Sequence, residues 1–379
     1  MRCEDPWLSH ILRSARHGRL DHESYCFLHG LPTLHPGSWD PATSTVSCAQ
    51  SACDRLEAEW SAELAGTSPS PWLERRGQEC DVCHQERRRR CRVLSASDLA
   101  PTLQETKFLD APLISPFNAP KYHTAQVRAQ AFARRTQRLL LWLIAEDKPT
   151  HPDLLSLPDA ALEQRKAAWL QDHEQKTGGI VGVLPLVRGL PARITETIVG
   201  SQDKGLFKNN RCFLHGWTLE PTDQARLENN QEPEMRLLHM PAMLFLRFPK
   251  ATWQWNSALG RGIIGITPKV VRWYVDKDFQ VSVQRRGLSV AVDLAGTAHS
   301  FAGAILQAAF LDIMSWDASP DRGAQLGAYM SLSRVRRMED ICVVRAFPPT
   351  LLAQGDLPGP ELLLKFQEKE LQEEDLETA

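Results

Sequence analysis

Four cysteines near the start of the chain have the spacing of a metal site. Cys48 and Cys53 are separated by four residues, and Cys80 and Cys83 by two. Two such pairs joined by a loop can supply four thiolates to one tetrahedral zinc ion. No Glu/His pair at a catalytic spacing accompanies them, so the pattern predicts structural zinc, with unrelated buried thiols as the alternative. Two further candidate ligands in this stretch are His84 and Cys91.

A run of arginines follows the second cysteine pair. Residues 74–92 contain seven arginines and four acidic residues, and Arg87, Arg88, Arg89 and Arg90 are consecutive. Guanidinium groups pair with phosphate oxygens in a fork-like geometry, so the run predicts contact with nucleic-acid phosphates. A solvated charged face is the alternative interpretation.

Polar residues also collect in a stretch bounded by two glycines. Thr297, His299 and Ser300 lie between Gly296 and Gly303, ahead of an apolar run. The pattern predicts a polar loop that enters an apolar helix. Hydroxyl and backbone N–H groups in such a loop can bind a phosphate.

A second polar stretch precedes a predicted strand at residues 341–344. It ends a predicted helix with Ser333 and Arg334. An arginine on such a loop suits a phosphate across a cleft. We refer to residues 297–306 as the histidine segment and to residues 328–335 as the arginine segment.

These two segments resemble the last two signature motifs of the superfamily-one 5′-to-3′ DNA helicases. The resemblance is to the group that contains the RecD subunit and the petite-integration-frequency helicases. Their pattern is roughly T-x-H-K-x-Q-G-x-T-L, followed by Y-V-A-L-S-R-V before a final strand. The histidine segment reads TAHSFAGAIL, and the arginine segment contains YMSLSRV. The first match keeps the Thr, His, Gly and Leu of the pattern.

Other segments are similar to this family in the expected order. Residues 113–118 resemble the strand and asparagine that open the second RecA-like domain. Residues 183–198 and 206–219 resemble strands that pass through a loose N-G-x-x-G pattern. Residues 240–290 are similar to an inserted SH3-like subdomain, and residues 8–18 to the helix that closes the first RecA-like domain. Trp7, Leu8, Ile11 and Leu12 also have helical spacing, and Gly18 fits a helix stop. Short strand-like runs lie at residues 213–214, 243–248, 263–266, 270–275 and 281–283.

The resemblance implies that the chain corresponds to the C-terminal half of such a helicase, either a truncated product or one part of a split enzyme. It also implies an α/β fold. We expect a RecA-like second helicase lobe with a small SH3-like β-barrel insertion and a cysteine-rich, zinc-like insertion. The implied divisions are residues 1–40, which close the first RecA-like lobe; 41–100, the cysteine-rich insertion with the arginine run; 101–205, the start of the second lobe; 206–290, the SH3-like β insertion; 291–350, the end of the second lobe; and 351–379, an acidic tail.

The resemblance also implies an ATP site between two RecA-like lobes. Arg334 would act as an arginine finger that stabilises charge on the γ-phosphate. Gly303 and Ser333 match motif positions on the cofactor side of this cleft.

The same resemblance implies contacts with single-stranded DNA. Thr297 and His299 would lie where the family couples the nucleotide cleft to the DNA strand, and Asn118 would lie close to the bound strand. We therefore expect single-stranded DNA as a partner, with the arginine run contributing phosphate contacts.

The phosphate cradle of the family is missing from this sequence. It contains no G-x-x-x-x-G-K-[ST] pattern and no Asp-Glu pair after an apolar strand in an N-terminal position. Lys, Gln and Thr of the family's next-to-last motif are Ser300, Ala302 and Ile305 here. We therefore expect ATP and Mg²⁺ only if a first lobe is supplied, for example by a partner chain. We expect no ATP hydrolysis by this chain alone.

Composition limits the possible classes of protein. The 379 residues include 44 Lys and Arg against 46 Asp and Glu, so nucleic acid must be bound through local patches. The longest clean apolar run, residues 139–145, falls short of the roughly 18 residues of a membrane span. Nine cysteines, an odd number, argue against a secreted disulfide framework. These observations predict an intracellular protein in the nucleus or another DNA-containing compartment, with no membrane partner.

Two other interpretations stay open. The chain could be a non-enzymatic, zinc-containing nucleic-acid-binding module derived from a helicase. It could also be an unrelated α/β enzyme, because Cys26 lies near several histidines and a Cys-His pair is conceivable. Trp253 and Trp255 could stack on bases of a single strand or simply pack within the fold.

Overall fold

The computed structural model of the chain describes residues 3–21, 24, 25, 28, 106–116, 118–198, 200, 202–313, 321–344 and 347–356. The chain divides into two compact units. The first unit comprises Met1–Pro116 and Thr297–Ala379, and the second comprises Phe117–Gly296. The cysteine-rich insertion predicted at 41–100, and the acidic tail beyond residue 356, lie outside the described residues.

Helices and strands alternate along much of the described chain. The α-helices are α1 (Pro6–Arg16), α2 (Asn118–Thr136), α3 (Pro152–Leu155), α4 (Asp159–Trp169), α5 (Pro221–Glu228) and α6 (Arg322–Leu332). The strands are β1 (Leu113–Ser115), β2 (Leu140–Ile144), β3 (Glu146–Pro149), β4 (Val183–Leu186), β5 (Pro191–Ile194), β6 (Arg211–Thr218), β7 (Glu234–Arg236), β8 (Met243–Arg247), β9 (Ile263–Ile266), β10 (Lys269–Asp276), β11 (Val281–Gly287), β12 (Val290–Val292), β13 (Ala295–Thr297), β14 (Ala309–Leu311) and β15 (Ile341–Val343). None of the described helices combines the length and apolar character needed to cross a membrane.

A short parallel sheet forms the centre of the first unit. Within this unit β14 lies between β1 and β15 and runs parallel to both of them. Ile114 is paired with Leu311, which is paired in turn with Val343, and all three side chains are fully buried. Strands of a parallel sheet are covered on both faces, which explains why these strands consist mainly of apolar residues. The predicted α/β fold class is confirmed.

Both faces of this sheet carry a hydrophobic cluster. Alternate residues of a strand point to opposite faces. Leu311 therefore packs in the larger cluster, with residues of α1 and α6, whereas Phe310 packs in a smaller one with Phe108 and Cys342. This alternation places β14 at the interior of the unit.

Helix α1 buries the apolar stripe that its sequence predicts. Leu8, Ile11 and Ala15 are completely buried at helical spacing. Gly18 follows the helix with a φ of +56°, and its carbonyl accepts a hydrogen bond of 2.9 Å from the backbone N–H of Gly355. A Cβ at position 18 would lie 2.0 Å from the Gly355 carbonyl oxygen. The predicted helix stop is confirmed, and close backbone contact adds to the need for glycine.

The second unit contains three sheets. Their orders are β4-β2-β7, β12-β5-β6-β8-β9 and β10-β11-β3. The strand-like runs predicted between residues 206 and 290 all coincide with strands of the structure, namely β6, β8, β9, β10 and β11. Their pairing crosses the boundaries of the predicted barrel segment, because β6 pairs with β5 and β11 pairs with β3. These strand orders therefore do not show a separate SH3-like barrel.

A buried ion pair joins two elements of the second unit. Arg285 on β11 is fully buried and donates two hydrogen bonds, of 2.8 and 2.6 Å, to the carboxylate of Asp147 on β3. Its guanidinium also donates to the carbonyl of Trp169 at 2.7 Å and lies 5.2 Å from the ring centroid of Trp273. The paired and hydrogen-bonded arrangement offsets the desolvation of both charges.

A second buried pair connects α2 to the loop after α4. The ammonium of Lys121 donates to both carboxylate oxygens of Glu174, at 2.6 and 2.9 Å. Burial lowers the pKa of Lys121, because the charged form loses solvation. The loop is also tied to α2 by a hydrogen bond of 2.7 Å from the backbone N–H of Glu174 to the hydroxyl of Tyr122.

Candidate functional site

The histidine and arginine segments lie against each other in the first unit. The backbone N–H of Leu306 donates to the carbonyl of Arg334 at 2.8 Å. In return, Nη1 of Arg334 donates to the carbonyl of Phe301 at 3.0 Å. These reciprocal bonds connect the two segments that resemble helicase motifs, although Arg334 and Phe301 are 33 positions apart in the sequence.

The guanidinium of Arg334 forms its hydrogen bonds within the first unit. Nε donates to the carbonyl of Met330 at 2.7 Å, and Nη2 donates to the hydroxyl of Ser333 at 2.5 Å. The Ser333 hydroxyl donates in turn to the Met330 carbonyl at 2.8 Å. Because Ser333 is the C-terminal cap of α6, the end of this helix fixes both side chains. Arg334 is half-buried as a result.

The histidine segment forms a short turn rather than the start of an α-helix. Residues Ala298–Phe301 make a single 3-10 turn, and the chain then runs into β14. The backbone N–H groups of Ala302 and Ala304 donate to carbonyls of the turn itself, so they are not open to a phosphate. The apolar helix predicted after this segment is wrong. Gly303 leaves the turn with a φ of +77°, a conformation that does not continue a right-handed helix.

One side of the histidine segment faces solvent. His299, Ala302, Gly303 and Ile305 are exposed, and 44% of Ile305 is accessible. The hydroxyls of Thr297 and Ser300 lie 3.1 Å apart and form one hydrogen bond. A Cβ at Gly303 would meet no atom within 4 Å. The segment therefore offers an imidazole, two hydroxyls and open space to a ligand at this surface.

Comparison with known proteins identifies similar structures. No protein-family model matches the chain, and no curated protein matches it. A Pif1 helicase from Candida albicans is 14% identical, with 77% of this chain and 55% of that chain covered and a TM-score of 0.39. A Pif1 helicase from Bacteroides in complex with ADP-AlF3 and ssDNA is 12% identical, with 97% and 55% covered and a TM-score of 0.42. Bacteroides Pif1 bound to ssDNA is 11% identical, with 98% and 55% covered and a TM-score of 0.43. The chain spans about half the length of these helicases.

The other predicted site residues occupy different parts of the chain. Asn118 is the first residue of α2, in the second unit. The four predicted zinc ligands and the four consecutive arginines lie outside the described residues: Cys48, Cys53, Cys80, Cys83, Arg87, Arg88, Arg89 and Arg90.

No metal-binding cluster occurs within the part of the chain that the structure describes. No group of three or more His, Cys, Asp or Glu residues there could hold a metal ion. Cys212 is buried, and burial raises the pKa of its thiol. Because metals bind the thiolate, Cys212 is a poor ligand where it lies. Cys342 is also buried, within the sheet of the first unit.

Sequence reasoning did not single out a cationic groove in the second unit. It is lined by Arg138, Arg188, His215, Trp217 and Arg247, among other residues. They belong to loops and strands spread over more than a hundred positions, so no local pattern connects them. The pairing of β5, β6 and β8, together with the hydrogen bond from Arg138 to the Arg188 carbonyl, brings them together.

Proposed function

We propose that this chain is a helicase-like protein that binds single-stranded DNA. The observation that carries the proposal is the contact between Arg334 and the carbonyl of Phe301. It joins two segments that each resemble a helicase motif and that could have folded far apart. The exposed His299 and the Thr297 hydroxyl are the groups of this pair that we assign to the DNA strand, with Asn118 as a further contact from α2.

Arg334 would serve as an arginine finger for ATP held mainly by another lobe. This chain brings one guanidinium, the Ser333 hydroxyl and the open space beside Gly303. The sequence contains no Gly-Lys dipeptide, so it lacks the lysine-bearing loop that cradles the phosphates. ATP and Mg²⁺ would therefore bind only when a first RecA-like lobe is supplied, for example by a partner chain. Such an activity would belong to an intracellular compartment that contains DNA.

The inward bonds of Arg334 support a second candidate, a DNA-binding module without catalysis. As a finger, the guanidinium must exchange its bonds to the Met330 and Phe301 carbonyls for phosphate oxygens. If it keeps these bonds, it is a structural clamp of the site. The two candidates differ in one respect: only the first predicts that a nucleotide changes DNA binding once a first lobe is present.

The test combines DNA binding with ATP hydrolysis by the full chain. Binding to a fluorescent oligo-dT strand is measured by anisotropy at several salt concentrations, and turnover of ATP is measured with and without that strand. We expect salt-sensitive binding, weakened by His299→Ala, and no turnover. Absence of binding would overturn the proposed function. Turnover that Arg334→Ala abolishes would support the finger and show that the chain itself holds the phosphates.

A further inference from the structure

The second unit carries a cationic groove of about 450 Å³ on its surface. Three arginines, a histidine and a tryptophan line it, and none of its lining residues is acidic. The remainder of the lining is apolar or glycine. We call it the arginine groove, and its lining residues are Arg138, Leu139, Arg188, Gly189, Leu214, His215, Trp217, Leu227 and Arg247.

The three arginines keep their charges available to a ligand. Arg138, Arg188 and Arg247 are exposed, and within the described part of the chain none has a carboxylate within ion-pair distance. Arg138 donates from Nη1 to the carbonyl of Arg188, an uncharged acceptor. The guanidinium of Arg188 lies 5.6 Å from the ring centroid of Trp217, and that of Arg247 lies 5.8 Å from the ring of Phe213. Aromatic rings position these cations without neutralising them.

The backbone explains why the groove is open. The pairing of β6 with β8 shifts register between Leu214 and Gly216, which leaves His215 at a bulge. Gly189, with a φ of +82°, donates from its backbone N–H to the carbonyl of Leu214 at 2.6 Å. A Cβ at Gly189 would lie 2.4 Å from Nη1 of Arg138. Glycine at this position therefore lets Arg138 approach the strand.

We infer that the arginine groove binds single-stranded nucleic acid, with phosphates against the arginines and one base on Trp217. The inference rests on the proposed function and names a site for it. Half-buried Trp217 presents a ring that an unpaired base can stack on, whereas the bases of a duplex are already stacked. Exposed arginines that form no ion pair bind phosphates by releasing counterions.

A neighbouring groove limits how far the phosphates extend. It shares Arg138 and Leu139 with the arginine groove but is also lined by Glu232 and Glu234. Glu234 accepts a hydrogen bond of 2.9 Å from the indole of Trp142. Arg134 also lines this neighbouring groove and lies 3.9 Å from a carboxylate oxygen of Glu234. Two arginines there face two acids, so the neighbouring groove attracts phosphates less than the arginine groove does.

The experiment measures binding of the full chain to oligo-dT and to an abasic strand of equal length. Arg188→Ala and Arg247→Ala should each reduce the slope of log affinity against log salt by about 0.7, the value for one phosphate on a single strand. Trp217→Leu should lower affinity for oligo-dT by roughly 5- to 150-fold, the range of base–aromatic stacking. It should leave the affinity for the abasic strand unchanged, because that strand has no base to stack.

Two controls separate this site from a general effect of charge or folding. Arg286→Ala removes an arginine of the same unit that is 48% exposed but paired with Glu146, so the salt slope should stay as in the wild type. Trp217→Phe keeps a ring and should retain most of the affinity. Thermal unfolding confirms that each variant is folded.

The outcomes distinguish this inference from the proposed function. If the wild type binds oligo-dT and the groove variants bind it equally well, the groove is not the site and the proposed function stands. If Trp217→Leu lowers the affinity for both strands equally, the inference that a base stacks on Trp217 is wrong. If the wild type binds neither strand, the proposed function itself is overturned, and the inference about the groove fails with it.

Discussion

The guanidinium of Arg334 donates a 3.0 Å hydrogen bond to the carbonyl of Phe301, across the boundary between two motif-like segments. The same side chain also donates to Met330, one turn earlier in its own segment. Arg334 therefore sets the distance between the end of α6 and the exposed turn that carries His299. A ligand that attracts the Arg334 guanidinium would have to replace these two hydrogen bonds.

Replacing Arg334 should destabilise the chain. Arg334→Ala removes three charge-assisted hydrogen bonds, and we expect the free energy of unfolding to fall by about 2–3 kcal/mol. Arg334→Lys should cost less, because one ammonium can still reach a carbonyl acceptor. Urea unfolding measures both. As a control, Arg336→Ala removes an exposed arginine paired with Glu4 and should change stability by less than about 1 kcal/mol. Equal stability of Arg334→Ala and the wild type would contradict the clamp.

The contributions of Arg285 and Asp147 to the free energy of unfolding should be strongly coupled. Asp147→Leu leaves a buried guanidinium without its carboxylate and should lower the free energy of unfolding by about 3–5 kcal/mol. Adding Arg285→Met should restore part of this loss, because the unpaired charge is then gone. A double-mutant cycle by chemical unfolding tests the coupling. Glu146→Ala, at the exposed neighbouring pair, is the matched control and should have little effect. Additive losses would show that the pair is not coupled.

Gly18 should not tolerate a side chain. Gly18→Ala puts a Cβ 2.0 Å from the Gly355 carbonyl oxygen and 2.5 Å from Nε2 of Gln325, at a positive φ. We expect a loss of at least about 2 kcal/mol, measured by thermal or urea unfolding. Gly327→Ala is the matched control, since a Cβ there meets no atom within 4 Å and α6 favours alanine by about 0.5–1 kcal/mol. A neutral Gly18→Ala would show that the backbone contact can relax.

The stabilising effect of Asp223 should depend on pH. Burial alone would raise the pKa of Asp223, but the backbone N–H groups of Leu238 and His239 and the guanidinium of Arg226 lower it below 3.8. The unfolded chain then binds the proton more readily, so the carboxylate contributes stability above about pH 4 that is lost as the pH falls through the lowered pKa. Asp223→Asn should cost about 1–3 kcal/mol at pH 7 and less at pH 3.

Urea titrations of wild type and Asp223→Asn at several pH values test this. Glu228→Gln changes an exposed carboxylate on the same helix. The free energy of unfolding of this variant should differ between pH 7 and pH 3 by the same amount as that of the wild type. A constant effect of Asp223→Asn over this range would contradict the assignment of the lowered pKa.

The cysteine spacing predicts one zinc ion per chain. Metal analysis of the purified protein should find it, and Cys80→Ser with Cys83→Ser should remove it, because a zinc site with two of four thiolates loses most of its affinity. Cys3→Ser changes a cysteine outside the cluster and should leave the zinc content intact. Zinc-free wild-type protein would leave the cysteines as ordinary thiols.

The sequence by itself determined the elements whose signals are local. The spacing of Trp7, Leu8, Ile11 and Leu12 predicted α1, and Gly18 predicted its end. The apolar run of residues 341–344 predicted the buried strand β15, because a parallel sheet covered on both faces needs side chains that are apolar on both sides. Each of these signals lies within a few residues of the element that it specifies.

Only the tertiary structure decided which strands pair and which side chains meet. The strands of residues 206–290 were predicted, but the pairing of β6 with β5 and of β11 with β3 was not. A turn and β14 stand where a helix was expected after the histidine segment, because the sheet buries the apolar residues of β14. Strand pairing and burial depend on residues far apart in sequence, and they override local preference. For the same reason the bond from Arg334 to Phe301 and the arginine groove exist only in the folded chain.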